Sequence, residues 1–486
     1  MMYEFDLLCF HIVFKFEKNN LRGFLMNKRK KRVKRYYKNF KKSKFDLLKK
    51  ILRILSWLLP GLVIKRWMLT SAIGFLTTLL GLVIWTNLRP LYWLIEIFFS
   101  VMTGLTSILP VSLMGPLIFV IGLLLIGIGQ NRSINSIQKA LVPEKDTFLV
   151  DALRVKSKLN RGPNIVAIGG GTGLSTLLKG LKNYSSNITA IVTVSDDGGS
   201  SGILRKQLGV QPPGDIRNCL AALSNEEPTL TRLFQYRFSG GSGLEGHSFG
   251  NLFLSALTTI TGSLEKAVQA SSKVLAVQGQ VLPATNIDVM LWAELEDGEK
   301  IFGESKISKS KKLISRIGYL PENPSALPSA LESIKEADLI VLGPGSLYTS
   351  LLPNLLVPEI VDALLQSNAP KIYISNLMTQ PGETDGLDVY QHIKAIEKQL
   401  SNFGVNTRIF NSILSQIQFE KSPLVDYYES RGAEPVQCNK EKLLSEGYYV
   451  LQAPLYSKRI TPTLRHDPRR LARAVMFIYR KLKKLN

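Results

Sequence analysis

The sequence predicts an α/β protein. It reads as a Rossmann-like, mostly parallel sheet with helices on both faces and an inserted helical portion, preceded by a transmembrane helical hairpin. Three observations predict this. Short apolar runs alternate with amphipathic helical patterns from Arg161 to Asn486, the rhythm of βαβ units. Several of those runs empty into glycine-rich or acidic loops, and ligands bind at that edge of open α/β sheets. A long uncharged stretch, Trp67 to Leu88, lies ahead of the domain and is long enough to cross a bilayer as a helix.

Composition narrows the class. At 486 residues with 45% apolar content, the chain holds more than one folding unit. The formal net charge of +23 points to nucleic acid until it is located. Residues 1–66 carry 19 of the 61 Lys and Arg residues and only four of the 38 Asp and Glu residues. The excess is therefore a leader feature, and no nucleic-acid partner is expected. Cys9, Cys219 and Cys438 are far apart with no CxxC spacing, and there are four histidines. This argues against a disulfide framework, a zinc ribbon and a multi-His metal centre, and it fits a reducing compartment.

In chain order, residues 1–66 form a basic cytoplasmic leader in which Met26 is a second plausible start beside Met1. The Lys28–Lys50 run, placed just before the apolar region, reads as a contact for anionic lipid. Residues 67–131 form a transmembrane region with spans at about 67–88 and 113–130; Pro90 to Leu109 reads as interfacial, re-entrant or a third span. The link between the two spans carries only Arg89 and Glu96, as an outer loop should. Basic residues flank both spans, which puts the N-terminus and the C-terminal domain in the cytoplasm, at the inner or plasma membrane. Residues 132–160 read as a polar linker, and 161–486 as a nucleotide-binding domain.

Within that domain, Ile165–Ile168 and Ile188–Val194 are expected strands around a helix that carries Leu174, Leu177, Leu178 and Leu181 at helical spacing. Helices are expected over Asp215–Ser224, Thr229–Phe238, Ser248–Ile260, a stretch capped by Ser263, Leu327–Glu336, Leu355–Gln366, Asp385–Leu400 and Asp467–Lys484. Strands are expected over Gln280–Thr285, Asp288–Glu296, Asp338–Leu342 and Lys371–Ser375, with a turn at Asp297-Gly298.

The loops carry the chemistry. Gly169, Gly170, Gly171, Thr172 and Gly173 follow the first strand, where glycines let the backbone approach a phosphate at a helix N-terminus. No Gly-Lys-Ser/Thr follows, so this is not a P-loop, and Leu174 occupies the last position of a GxGxxG fingerprint. Asp196 and Asp197 end the second strand, where one acid can take a ribose hydroxyl and another Mg²⁺ or substrate; Ser200 and Ser201 follow as turn partners. Asp215 is an N-cap or a ligand contact, and Arg217 a phosphate clamp beside Asn218. His247 and Asn251 sit at a glycine-rich helix start, with a structural or a ligand role. Gly345 and Ser346 form a second strand-end loop, and Asn376, Thr379 and Gln380 a third. His466-Asp467 with Arg469, Arg470 and Arg473 reads as a solvated or membrane-facing basic helix face, with phosphate contact as the lesser alternative.

Together IGGGTGLS, TVSDDGGSSGILR, PPGDIRN, GHSFGNLFLSAL, LGPGSLYTSLLPNLL, ISNLMTQPGETDG and RHDPRRLA resemble the CofD-like superfamily, and within it the YvcK-type gluconeogenesis-factor branch. The segments run in order through nearly all of Asn164 to Arg473. The resemblance implies binding of a UDP-sugar such as UDP-N-acetylglucosamine, with support of cell shape and of growth on gluconeogenic carbon. In the CofD branch it implies a Mg²⁺-dependent transfer of a phospholactyl group from a nucleotide-activated donor to a deazaflavin. Carried over, Gly169–Gly173, Asp196 and Asp197 hold the nucleotide, the two acids with or without a metal. Asp215, Arg217 and Asn218 face the phosphates, while His247, Asn251, Gly345 and Ser346 close the pocket. Three functions stay open: a membrane-anchored nucleotide-sugar binder, a transferase with Asp197 as its catalytic candidate, and a dinucleotide-dependent oxidoreductase. A homodimer is compatible with each.

Overall fold

The structure is a computed structural model. It describes residues 63–85, 89–106, 116–125, 128, 129, 132 and 149–484, apart from 225–227, 242, 311, 421 and 457–462. The start at Met1 or Met26 and the Lys28–Lys50 run lie outside the described residues, as does most of the 132–160 linker. Contacts divide the chain into two units, Met1–Arg154 and Val155–Asn486.

The first unit contains helices Val63–Trp85 and Arg89–Thr106, and residues 116–125 are also helical. The expected transmembrane hairpin at 67–88 and 113–130 finds no support: among the described residues no helix is long and apolar enough to cross a membrane. Lys65 and Arg66 fall inside the first helix. Arg89 and Glu96 fall inside the second, not in an open outer loop. Pro90 explains that start, because the first turn of a helix needs no donor there. Both helices carry exposed large apolar side chains, among them Phe75, Leu76, Ile84, Trp93 and Phe99.

The second unit is built on seven strands: β1 Ile165–Gly169, β2 Ile188–Val192, β3 Gln280–Pro283, β7 Leu339–Leu342, β8 Lys371–Ile374, β9 Ser412–Gln416 and β10 Tyr449–Ala453. The strands β4 Met290–Leu295, β5 Lys300–Phe302 and β6 Ile314–Leu320 form a separate sheet. The large sheet runs β10-β9-β8-β7-β1-β2-β3, with every pairing parallel. Ile165 of β1 sits in register with Ile188 on one side and Leu339 on the other. β1, β2 and β7 are buried along their whole length, as strands covered on both faces must be, and this is why they read as unbroken apolar runs.

The order fixes the functional edge. From β1 the chain moves outward through β2 and β3, then returns to β7 on the other side of β1 and moves outward again. The direction reverses between β1 and β7, so a crevice opens at their carboxyl ends. The first crossover helix, Gly171–Leu181, packs Leu174, Leu177, Leu178 and Leu181 into the core with no exposure. Each contributes about 1.5–3 kcal/mol of apolar burial. The C-terminal helix Pro468–Leu482 packs on that helix, its Pro468 carbonyl and Ala472 methyl lying where a side chain at Gly180 would stand. Its buried face is Leu471, Val475 and Ile478, while Arg469, Arg470 and Arg473 face solvent.

The inserted helical portion lies between β2 and β3: helices Gly199–Leu208, Gly214–Leu223, Pro228–Gln235, Phe249–Thr261 and Leu264–Val274. The three-stranded antiparallel sheet β5-β4-β6 follows β3 and was not expected from the sequence pattern beyond its central strand.

Candidate functional site

A cleft of about 690 Å³ opens at the carboxyl ends of β1 and β7. Its floor is the glycine loop. Gly171 has φ +61°, a left-handed conformation that favours glycine. A Cβ on Gly170 would lie 2.7 Å from Asp215 Oδ2, and one on Gly173 would overlap the Pro344 carbonyl. The loop is therefore pressed between an acid and the loop that follows β7. Asn354 fixes it from behind, donating from Nδ2 to the Gly169 carbonyl at 3.1 Å and to the Ser350 carbonyl at 2.8 Å.

Gly170, Gly171, Thr172, Gly173, Asp196, Asp215, Asn218, Gly345 and Ser346 line this cleft. Around Gly345 and Ser346 the third loop closes in. The Gly345 amide donates to Asn376 Oδ1 at 3.2 Å, and Gln380 Nε2 donates to Ser346 Oγ at 2.7 Å.

Seven expected residues are placed elsewhere. Gly169 ends β1 beneath the loop. The Asp197 carboxylate turns away from the cleft and accepts the Ser305 amide at 2.8 Å. Both acids lie in the loop beyond β2, and of the two only Asp196 lines the cleft. Ser200, Ser201, His247 and Asn251 form a buried cluster behind the lining: Ser200 Oγ lies 3.0 Å from His247 Nδ1 and accepts from Asn251 Nδ2 at 3.1 Å. That cluster ties the start of helix Gly199–Leu208 to the start of helix Phe249–Thr261. Arg217 is buried, donates to Asn218 Oδ1 at 3.0 Å, and is not a lining residue.

Glu304, Tyr428 and Arg431 line the cleft without a sequence motif of their own to announce them, whereas Arg465 opens the RHDPRRLA segment. Glu304 comes from the turn after β5, and Tyr428 and Arg431 from the chain after β9. His466 also lines the cleft, whereas Arg469, Arg470 and Arg473 keep the solvated face expected of the helix. Burial holds the His466 imidazole at about 4, hence neutral near pH 7, and its Nε2 is buried without a partner.

The acidic pole is strained electrostatically. Asp215 is pushed up to about 7 by burial and by the Asp196 charge, against a hydrogen bond from the Gly171 amide. Glu304 is pushed up to about 7 by burial, then by Asp196, Asp197 and Asp215. Burial also raises Asp196, whose Oδ1 accepts the Gly198 amide at 2.9 Å. Among the described residues no group of three or more His, Cys, Asp or Glu side chains is placed to hold a metal ion. Mg²⁺ needs less from a protein, one or two carboxylates with phosphate oxygens completing the shell. Asp196 and Asp215 meet that requirement: each carboxylate abuts a glycine, Gly214 and Gly170, where a Cβ would fill the space.

Comparison with known proteins gives the same region. Residues 165–456 match the family described as 2-phospho-L-lactate transferase CofD. The chain is 47% identical over 323 residues to the gluconeogenesis factor of Halalkalibacterium halodurans, covering 95% of that protein and 64% of this chain. It is 47% identical over 314 residues to the gluconeogenesis factor of Bacillus subtilis, covering 97% of that protein and 65% of this chain. A crystal structure of a Bacillus halodurans protein, at 47% identity, superposes with a TM-score of 0.62 and is covered in full, against 65% of this chain.

Proposed function

This chain belongs to the CofD family, among relatives named gluconeogenesis factors, and from that premise we propose that its cleft binds a nucleotide sugar, UDP-N-acetylglucosamine being the first compound to test. The observation that carries the reading is the glycine loop at the start of helix Gly171–Leu181, set at the reversal of strand order and facing two carboxylates. Free amides at a helix N-terminus attract a diphosphate. Asp215 and Asp196 are placed to take ribose hydroxyls or a divalent cation. The far wall, with Asn376, Gln380, Arg465 and the neutral His466, offers donors and acceptors for the sugar and base. Mg²⁺ held by Asp196 and Asp215 would neutralise the diphosphate against those carboxylates.

The proposal extends to the N-terminal region. The basic leader and the exposed apolar side chains of helices Val63–Trp85 and Arg89–Thr106 support a tether at the cytoplasmic face of a membrane. Binding there, without turnover, would let nucleotide-sugar supply regulate cell morphogenesis and envelope growth on gluconeogenic carbon. Titration calorimetry on residues 155–486 tests the binding step. That fragment is one of the two units, and the relatives from H. halodurans and B. subtilis are matched almost in full by its length. Heat that saturates with UDP-N-acetylglucosamine supports the reading; no heat with any UDP-sugar rejects it.

One observation favours a second reading, a transferase that moves a phospholactyl-type group from a nucleotide-activated donor to a deazaflavin. Asp215 and Glu304 are both held at about 7, where a carboxyl group exchanges a proton at neutral pH and can serve as general base. Mg²⁺-dependent nucleotide release on adding the acceptor would support it. A donor that binds and is never consumed would leave the binding reading in place.

A further inference from the structure

We infer that Asp197 is a positioning residue whose contact with Ser305 holds Glu304 in the cleft as a third ligand-facing carboxylate. The inference rests on the nucleotide-sugar reading for its ligand and on the geometry below for its latch.

The segments 196–198 and 303–305 are interlocked. Asp197 Oδ1 accepts the Ser305 amide at 2.8 Å. Gly303 has φ +100°, and a Cβ there would overlap the Asp197 carboxylate. Facing it, a Cβ on Gly198 would lie 2.7 Å from Ser305 Oγ. Each segment thus gives up a side chain where the other approaches. Ser305 is the second residue of the turn Glu304–Ile307, so Asp197 satisfies one of the amides that the start of this turn leaves open. It does for this turn what an N-cap does, from more than a hundred residues away in sequence.

The consequence is the direction of Glu304. Its neighbour Ser305 is held by Asp197, its other neighbour Gly303 is backed against the same carboxylate, and Glu304 itself lines the cleft beside Asp196 and Asp215. Gly303 directly follows β5, and its amide donates to the Leu291 carbonyl of β4 at 2.7 Å. The small sheet therefore meets the site at this contact pair, as it does where Tyr319 Oη of β6 lies 3.3 Å from the hydroxyl of the lining residue Thr193. The doubled acid divides its work: Asp196 faces the ligand, and Asp197 places another acid there.

The two roles for Asp197 predict opposite results from a conservative change. Asparagine keeps a side-chain carbonyl that can accept the Ser305 amide; alanine does not. With UDP-N-acetylglucosamine and Mg²⁺, Asp197→Ala should weaken binding by about tenfold, the scale of a lost charge-assisted hydrogen bond. Asp197→Asn should restore most of that affinity. Glu304→Gln should weaken binding, and the double variant Asp197→Ala with Glu304→Gln should bind no worse than Glu304→Gln alone, because the second change removes what the first one positions. Asp197→Asn as damaging as Asp197→Ala would overturn the inference, since the charge itself would then be needed. So would additive losses in the double variant. Amide exchange at Ser305 reads the latch without any ligand: protection in wild type and Asp197→Asn but not in Asp197→Ala supports it, and equal exchange in all three overturns it. If wild type shows the exchange pattern but binds no UDP-sugar, the latch stands and the ligand assignment fails.

Discussion

Asp215 sits where a carboxylate is costly to ionise. Burial and the neighbouring Asp196 raise it from 3.8 to about 7, and Glu304 is raised from 4.5 to about 7. A folded-state value above the unfolded one means that the native protein keeps protons which the unfolded chain has already lost. Stability from these groups is complete below the unfolded values near 4, declines as pH rises toward about 7, and is flat above. Asp215→Asn should therefore raise stability at pH 8 by on the order of 1 kcal/mol and flatten its decline between pH 4 and 7. Thermal unfolding of both proteins across pH checks this; an unchanged slope would argue that Asp215 is already ionised at pH 5. The same substitution should reduce Mg²⁺-dependent nucleotide binding, so stability and affinity are expected to move in opposite directions. At this scale the sequence was only partly legible. The acidic doublet Asp196-Asp197 stands out in the chain, but which acid faces the ligand depends on the turn at Gly303–Ser305, which no local pattern connects to it.

Among elements, the glycine loop and the loop after β7 are one object. Gly173 meets the Pro344 carbonyl so closely that Gly173→Ala must push the two loops apart. We expect a loss of about 1–3 kcal/mol in stability and a larger proportional loss in ligand affinity, measured by denaturant unfolding and calorimetry on the same variant. The C-terminal helix gives a milder test. Asp467 caps it, its Oδ1 accepting the Arg469 amide at 2.9 Å and the Arg470 amide at 3.0 Å. Asp467→Ala should cost about 1 kcal/mol, and because His466 and Arg465 precede the cap, it should also weaken binding. The elements legible in the sequence include the apolar strands β1, β2, β7 and β8, the strands β3 and β4, and the helices beginning at Gly214, Phe249, Leu264, Pro328, Pro358 and Pro468. β9 was not, because it reads Ser412-Ile413-Leu414-Ser415-Gln416 and buries its polar residues fully. Gln416 shows how: its Oε1 accepts the Leu455 amide at 2.7 Å, a long-range partner invisible to periodicity. Helix Gly199–Leu208 was hidden by its opening Gly-Ser-Ser-Gly, which reads as loop until the Ser200–His247 contact is known.

At the scale of the whole molecule, the proposed function gives the two units different tasks, ligand binding and membrane tethering. Residues 155–486 should fold alone, and the full chain should bind vesicles containing anionic lipid while the fragment does not. Raising salt should weaken the vesicle contact if the basic leader drives it, since screening shortens the reach of exposed charge to about 8 Å at physiological ionic strength. Co-sedimentation of both proteins with anionic and neutral vesicles measures this, and equal binding by the fragment would remove the leader from the explanation. The charge pattern of residues 1–66 made that expectation readable, whereas the helices after it differ from the expected hairpin because Arg89 and Glu96 lie within a helix. Ligand binding in the cleft between β1 and β7 is checked by a crystal structure of residues 155–486 grown with UDP-N-acetylglucosamine and Mg²⁺. The diphosphate is expected against Gly170–Gly173, with Asp196 or Asp215 on the ribose or the cation. A nucleotide sugar bound away from the glycine loop, with the cleft left open, would contradict it.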